Sequence, residues 1–142
     1  MTQKIEFIVP GNPQALKRHR TFTKGTFTGT YDPSKDDKSN FLAKAMQNRP
    51  QTPLERPILL KLYFYFQRPK AHYGTGSKAG ILKDTAPVWH TKTPDADNLV
   101  KFVCDSLNKI FWRDDSYVCA LVVHKKYDEV PRVHIIILYE ED

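Results

Sequence analysis

A chain of 142 residues, 40% of them hydrophobic, is long enough for one domain around a modest core and too short for two ordinary ones. No run approaches the roughly 20 apolar residues of a membrane span, and the opening Met-Thr-Gln-Lys-Ile-Glu lacks a signal-like apolar stretch, so a cytoplasmic protein without a membrane partner is expected. The formal charge of +6 is unevenly placed: residues 1–94 hold 16 Lys/Arg against 6 Asp/Glu, whereas residues 95–142 hold 6 against 10. A basic surface attracts polyanions through phosphate contacts, while a local carboxylate surplus repels them unless a cation intervenes. The plainer alternative is an ordinary solvated surface with an acidic tail, Glu140-Glu141-Asp142.

In chain order, residues 4–9 alternate with Ile5, Phe7 and Val9 on one side, and Pro10-Gly11-Asn12-Pro13 ends the run, which predicts a first strand. The polar stretch 14–32, which includes Lys17, Arg18, His19 and Arg20, reads as a loop. Asp32-Pro33-Ser34 is a helix start with proline at the first helical position, and Phe41, Leu42 and Ala45 continue at helical spacing to about Gln47. Residues 58–66 place Ile58, Leu60, Leu62, Phe64 and Phe66 on one face and Leu59, Tyr63 and Tyr65 on the other, the two-sided apolarity of an interior strand. Residues 67–92 combine Pro69, Gly74, Gly76, Gly80 and Pro87 with five basic residues and His72, Tyr73, Trp89 and His90. That is a long basic loop, either disordered or, as long loops in compact domains often are, a functional element that grips substrate. Leu99, Phe102, Val103, Leu107 and Ile110 then mark an amphipathic helix over about 98–109. Strands over 116–125 and 132–139 follow and are expected to pair as a hairpin. The sum is one α/β domain, residues 1–142, with helices packed on a mixed sheet of about four strands.

Chemistry concentrates around the second helix. Asp95 and Asp97 stand just ahead of it, Lys101 follows Asp97 by one turn, and Asp114 and Asp115 precede the next strand. The spacing allows one acidic cluster, and hard divalent cations such as Mg²⁺ favour carboxylate oxygens, an arrangement suited to phosphodiester hydrolysis on a basic protein. The same residues could instead cap the helix, favour its dipole, pair with Lys101 or form a turn. The five histidines show no zinc spacing and no Gly-x-Ser-x-Gly elbow occurs. Cys104 and Cys119, without a Cys-x-x-Cys, are expected to be buried free thiols.

The run Thr93-Pro-Asp-Ala-Asp-Asn-Leu-Val-Lys-Phe-Val-Cys-Asp-Ser-Leu-Asn108, followed by Phe111-Trp-Arg-Asp-Asp-Ser116, resembles the signature of the RusA-like Holliday junction resolvases found in bacterial prophages. Their pattern is Asp-x-Asp-Asn-Leu-x-Lys, a short helix with a further Asp, then an aromatic residue and Asp-Asp before a strand. The likeness is dense over 93–125 and compatible over most of the chain. It implies an α/β homodimer that makes paired nicks in four-way DNA junctions in recombination and repair. Asp95, Asp97 and Asp115 would be its Mg²⁺-holding carboxylates, with Mn²⁺ a possible substitute and no organic cofactor, and Lys101 its catalytic lysine. Asp105 matches a further acidic position, and the preference for Asp115 over Asp114 rests on the resemblance. The basic loop 67–92 is longer than in the shortest family members.

On this reading Lys17, Arg18, Arg20, Lys24, Arg68, Lys70, Lys78, Lys83 and Lys92 are candidates for holding DNA phosphates. Trp89, Tyr73 or Phe22 is a candidate wedge at the branch point. Two other readings compete. A restriction-type nuclease finds its Pro-Asp half in Pro94-Asp95 but not its downstream half, and a non-catalytic branched-DNA-binding protein would use the carboxylates only as caps.

Overall fold

The computed structural model describes residues 1–142. A four-stranded sheet is built from β1 (Thr2–Pro10), β4 (Ile58–Gln67), β5 (Val118–Asp128) and β6 (Arg132–Glu140) in the order β1-β6-β4-β5. β6 runs antiparallel to both β1 and β4, and β4 runs parallel to β5. Parallel neighbours need a long crossover, which here is the basic loop followed by helix α2 (Ala96–Leu107). Helix α1 (Lys35–Ala45) lies beside α2.

One side of the sheet carries the core. Phe7 and Val9 of β1, Leu60, Leu62 and Phe64 of β4 and Val133, Ile135 and Ile137 of β6 are buried against Phe41 and Ala45 of α1 and Leu99, Phe102, Val103 and Leu107 of α2. Fully buried Phe111 and Trp112 close it where the chain leaves α2. The opposite face of β4 is only half-buried: Tyr63 lies between His124 and His134, and the Arg132 guanidinium covers the Tyr65 ring at 3.9 Å. No helix is long and apolar enough to cross a membrane.

Four local expectations need correction. β5 and β6 are not a hairpin, because β4 is inserted between them; a strand apolar on both faces takes a neighbour at each edge, and the short turn after Asp128 carries the chain across its end. Residues 20–24 and 27–31 are not loop but a second, two-stranded sheet, β2 (Arg20–Lys24) and β3 (Phe27–Tyr31), turning at Gly25 with φ +63°. Pro33 precedes α1 instead of opening it: Ser34 is the N-cap, and its buried hydroxyl accepts the Lys17 backbone N–H at 2.8 Å. Cys119 is exposed at the irregular start of β5, whereas burial pushes the Cys104 thiol up to about 12.

Candidate active site

Helix α2 owes its direction to a strict division of faces. Its apolar positions enter the core, while Asp97, Lys101 and Asp105, each four residues from the next, form an exposed ridge. The helix begins two residues earlier than periodicity suggested, so Asp97 lies in its first turn and Asp95 at its N-cap. Leu99 donates its N–H to the Asp95 backbone oxygen at 3.2 Å, and the Asp95 carboxylate makes no capping bond. Asp95, Asp97 and Lys101 form no ion pair within 4 Å; the ridge pairs only at Asp105, which Lys38 of α1 approaches to 3.8 Å. The capping and routine-pairing alternatives are therefore not realised for these three side chains.

The chain leaves α2 through Lys109, at φ +73°, and reaches Asp114 and Asp115 ahead of β5. The two aspartates sit in unlike surroundings. Asp114 accepts the Ser116 backbone N–H at 3.0 Å and lies 3.5 Å from Lys109. Bonds from the Ser116 side chain and backbone hold it below the usual carboxylate range. Asp115 accepts the indole N–H of buried Trp112 at 2.7 Å. Burial pushes its carboxyl up, the Trp112 bond opposes that, and the neighbouring negative charges of Asp105 and Asp114 add to the rise.

Asp97 and Asp105 are separated by eight helical residues, about 12 Å along the axis, and the carboxylates beside Asp115 are Asp105 and Asp114. No three His, Cys, Asp or Glu side chains come close enough together to hold a metal ion. The single acidic cluster that the spacing allowed is thus not formed within one chain: Asp95 and Asp97 mark one end of α2 and Asp115 the other. In donor chemistry both halves suit Mg²⁺ or Mn²⁺. Asp95 and Asp97 offer carboxylate oxygens with no competing cation, and Asp115 is a partly buried carboxylate beside like charge, which a bound cation would relieve.

The profile of the family described as "Endodeoxyribonuclease RusA" matches residues 10–138. The chain belongs to the RusA family. A relative named "Crossover junction endodeoxyribonuclease rusA", from Lactococcus phage r1t, is 30% identical over 109 residues, 74% of this chain and 73% of the relative. The "Uncharacterized protein YqaN" of Bacillus subtilis (strain 168) is 36% identical over 140 residues, 94% of each chain. The RusA match takes in both ends of α2, the basic loop and the β2–β3 ribbon.

The basic residues of this RusA-family chain divide by environment. Arg18, Arg20 and Lys24 make no ion pair, and Lys17 reaches Asp37 only at 3.8 Å. Lys70, Lys78 and Lys83 project from a loop that is folded, with 3-10 turns at Lys70–His72 and Gly76–Lys78. Gly74 there donates to Ile81 O and Lys83 to His72 O. Arg68 serves that fold: it donates to Pro87 O at 2.7 Å and lies over the Tyr127 ring. The Lys92 carbonyl accepts Lys125 Nζ at 2.8 Å, leaving its own side chain exposed. Of the wedge candidates, Trp89 packs on His124 and under Lys126, and the Tyr73 hydroxyl donates to Glu129; only Phe22 belongs to a free-standing element. Trp112 stands in the quoted run only as an aromatic residue; its bond to Asp115 and the approach of Lys38 to Asp105 are supplied by packing, which no local pattern announces.

Proposed function

We propose that this RusA-family chain is a Mg²⁺-dependent endonuclease that resolves four-way DNA junctions by paired, symmetric nicks, acting as a homodimer on cytoplasmic DNA during recombination and repair. The observation that carries the reading is the unpaired trio Asp95, Asp97 and Lys101 at the exposed start of α2: two carboxylates and an ammonium that contribute no cap and no ion pair to the fold. The printed name of the phage relative supports the choice of substrate.

Asp95 and Asp97 of one subunit, with Asp115 of the other, would hold the metal, because one chain keeps the halves apart. Bound there, Mg²⁺ supplies Lewis acidity and lowers the pKa of water. The remaining work belongs to side chains. Asp95 and Asp97 have free carboxylate oxygens to orient an attacking water and accept its proton. Lys101, one turn along, offsets the charge that grows on the non-bridging phosphate oxygens during in-line attack. Trp112 fixes the Asp115 carboxylate so that it need not reorganise. A four-way junction has approximate twofold symmetry, so a C₂ dimer meets it with two equivalent sites.

The test incubates a synthetic four-way junction and a linear duplex of the same sequence with and without Mg²⁺. The junction alone should be cut, and only with Mg²⁺. Asp97→Asn should bind the junction normally and cut it roughly 100-fold or more slowly. Equal cutting of both DNAs would defeat junction selectivity. Selective binding without any cutting would leave the non-catalytic reading in its place.

A further inference from the structure

Residues 20–31 stand apart from the rest of the molecule. β2 and β3 pair only with each other, none of their side chains is buried, and none joins the core. Their register sorts the ribbon into two unlike faces. Arg20, Phe22 and Lys24 stand opposite Tyr31, Gly29 and Phe27, while Thr21 and Thr23 stand opposite Thr30 and Thr28. One face therefore carries three aromatic rings and two cations, the other only threonines. The Phe22 ring lies 6.0 Å from Phe27 and 6.4 Å from Tyr31. It crosses Gly29, where a Cβ would come within 2.8 Å of its Cζ. The rings of this trio remain in contact with solvent: Phe22 is 43%, Phe27 63% and Tyr31 46% exposed.

Two further observations identify what such a face fits. Residues 7–31 contain no Asp or Glu, so the ribbon and its approach are complementary to a polyanion. The ribbon is also rooted at the carboxylate-bearing helix. Leu16 N–H donates to the backbone oxygen of Asn98, next to Asp97, at 3.1 Å, and Asp32, just past β3, is gripped by Lys38, which also reaches Asp105.

We propose that the β2–β3 ribbon is a branch-reading arm, whose Phe22, Phe27 and Tyr31 face stacks on bases exposed where the arms of a DNA junction part. Arg20 and Lys24 hold the flanking phosphates. An intact duplex hides its base faces and can engage only the cations; a branch point interrupts stacking and offers π-faces to the rings. The arm deepens the junction-nuclease reading and rests on it.

The experiment measures binding, without divalent cation, to a four-way junction carrying 2-aminopurine at the branch and to a linear duplex. Wild type should bind the junction preferentially and change the 2-aminopurine fluorescence. Phe22→Ala and Phe27→Ala should each weaken junction binding about tenfold, leave duplex binding unchanged and lose the fluorescence change. Phe27→Leu, which keeps an apolar side chain at the tip but not a flat ring, should behave like Phe27→Ala. Arg20→Ala should weaken binding to both DNAs and flatten the salt dependence. Thermal unfolding identical to wild type is expected, since the ribbon lies outside the core. Ring variants that bind the junction like wild type, while wild type still cuts it, overturn the arm alone. A wild type that does not distinguish junction from duplex overturns the arm together with the reading it rests on.

Discussion

The Asp115 carboxylate is held by one strong bond, from the Trp112 indole at 2.7 Å, in a partly buried position next to two other carboxylates. Trp112→Phe removes the donor and also trims a fully buried indole, so the loss of a hydrogen bond to a charged group, about 1.5–3 kcal/mol, is a lower bound to which the cavity adds. A melting temperature lower by roughly 4–12 °C in a thermal scan, and slower junction cutting, would show it; an unchanged melting temperature would mean that Asp115 is oriented by something else. The sequence could not choose between Asp114 and Asp115 by spacing, because what separates them is local: Asp114 turns onto Ser116 and Lys109, while Asp115 turns onto a ring packed in the core. By contrast Asp97 and Lys101 were legible, since four residues on an amphipathic helix are enough to place both on its solvent side.

Among the elements, the basic loop is docked by a histidine whose burial disfavours its charged form. His90 stacks on Phe66 with ring centroids 3.8 Å apart, its Nδ1 is buried without a partner, and burial followed by the charge of Lys125 pushes its pKa down. His72, in the same loop, is lowered by burial and by Arg68 and Lys83. Above the ordinary histidine pKa of about 6.5 both the docked and the released loop are neutral. Below it the released loop takes up protons that the docked one refuses, so docking weakens as pH falls. Hydrogen exchange at the Gly74, Lys83 and His90 amides, corrected for intrinsic rate, should show less protection at pH 5.5 than at pH 7.5. His90→Phe, which keeps the stack, should remove most of the difference. Equal protection at the two pH values in wild type would refute the mechanism. How readable each element was follows the range of the forces that make it. α2 announced itself because its core face repeats within the helix. The β2–β3 ribbon is polar enough to resemble loop, although Arg20-Thr-Phe-Thr-Lys24 and Phe27-Thr-Gly-Thr-Tyr31 alternate around Gly25 with a period of two. The separation of β5 from β6 is not legible locally, because adjacency in a sheet depends on a third strand some fifty residues earlier.

At the scale of the whole molecule the separated carboxylates give a sharp test of the dimer. Asp97→Asn and Asp115→Asn subunits, each inactive alone, are mixed and allowed to exchange. If each site joins Asp97 of one subunit to Asp115 of the other, every mixed dimer keeps one intact site, and random exchange restores about a quarter of the wild-type sites. The product should be single nicks, without paired resolution. Mixtures as inactive as their parents would mean that the halves must meet within one chain. The charge asymmetry visible in the sequence also finds its place: the cationic ribbon and the basic loop both precede the helix that carries Asp97 and Asp105. β1 and β6, residues 2–10 and 132–140, are partners along their whole length, and β6 is also the second neighbour of β4. A ribosome that has released everything up to the turn before Arg132 has released nothing that can pair with β1, and it leaves one edge of β4 bare. The sheet therefore closes only after the last strand emerges, as a late event of the slow kind that contacts between distant parts of a chain impose. Until then the apolar edge of β4 is a surface for chaperones to guard.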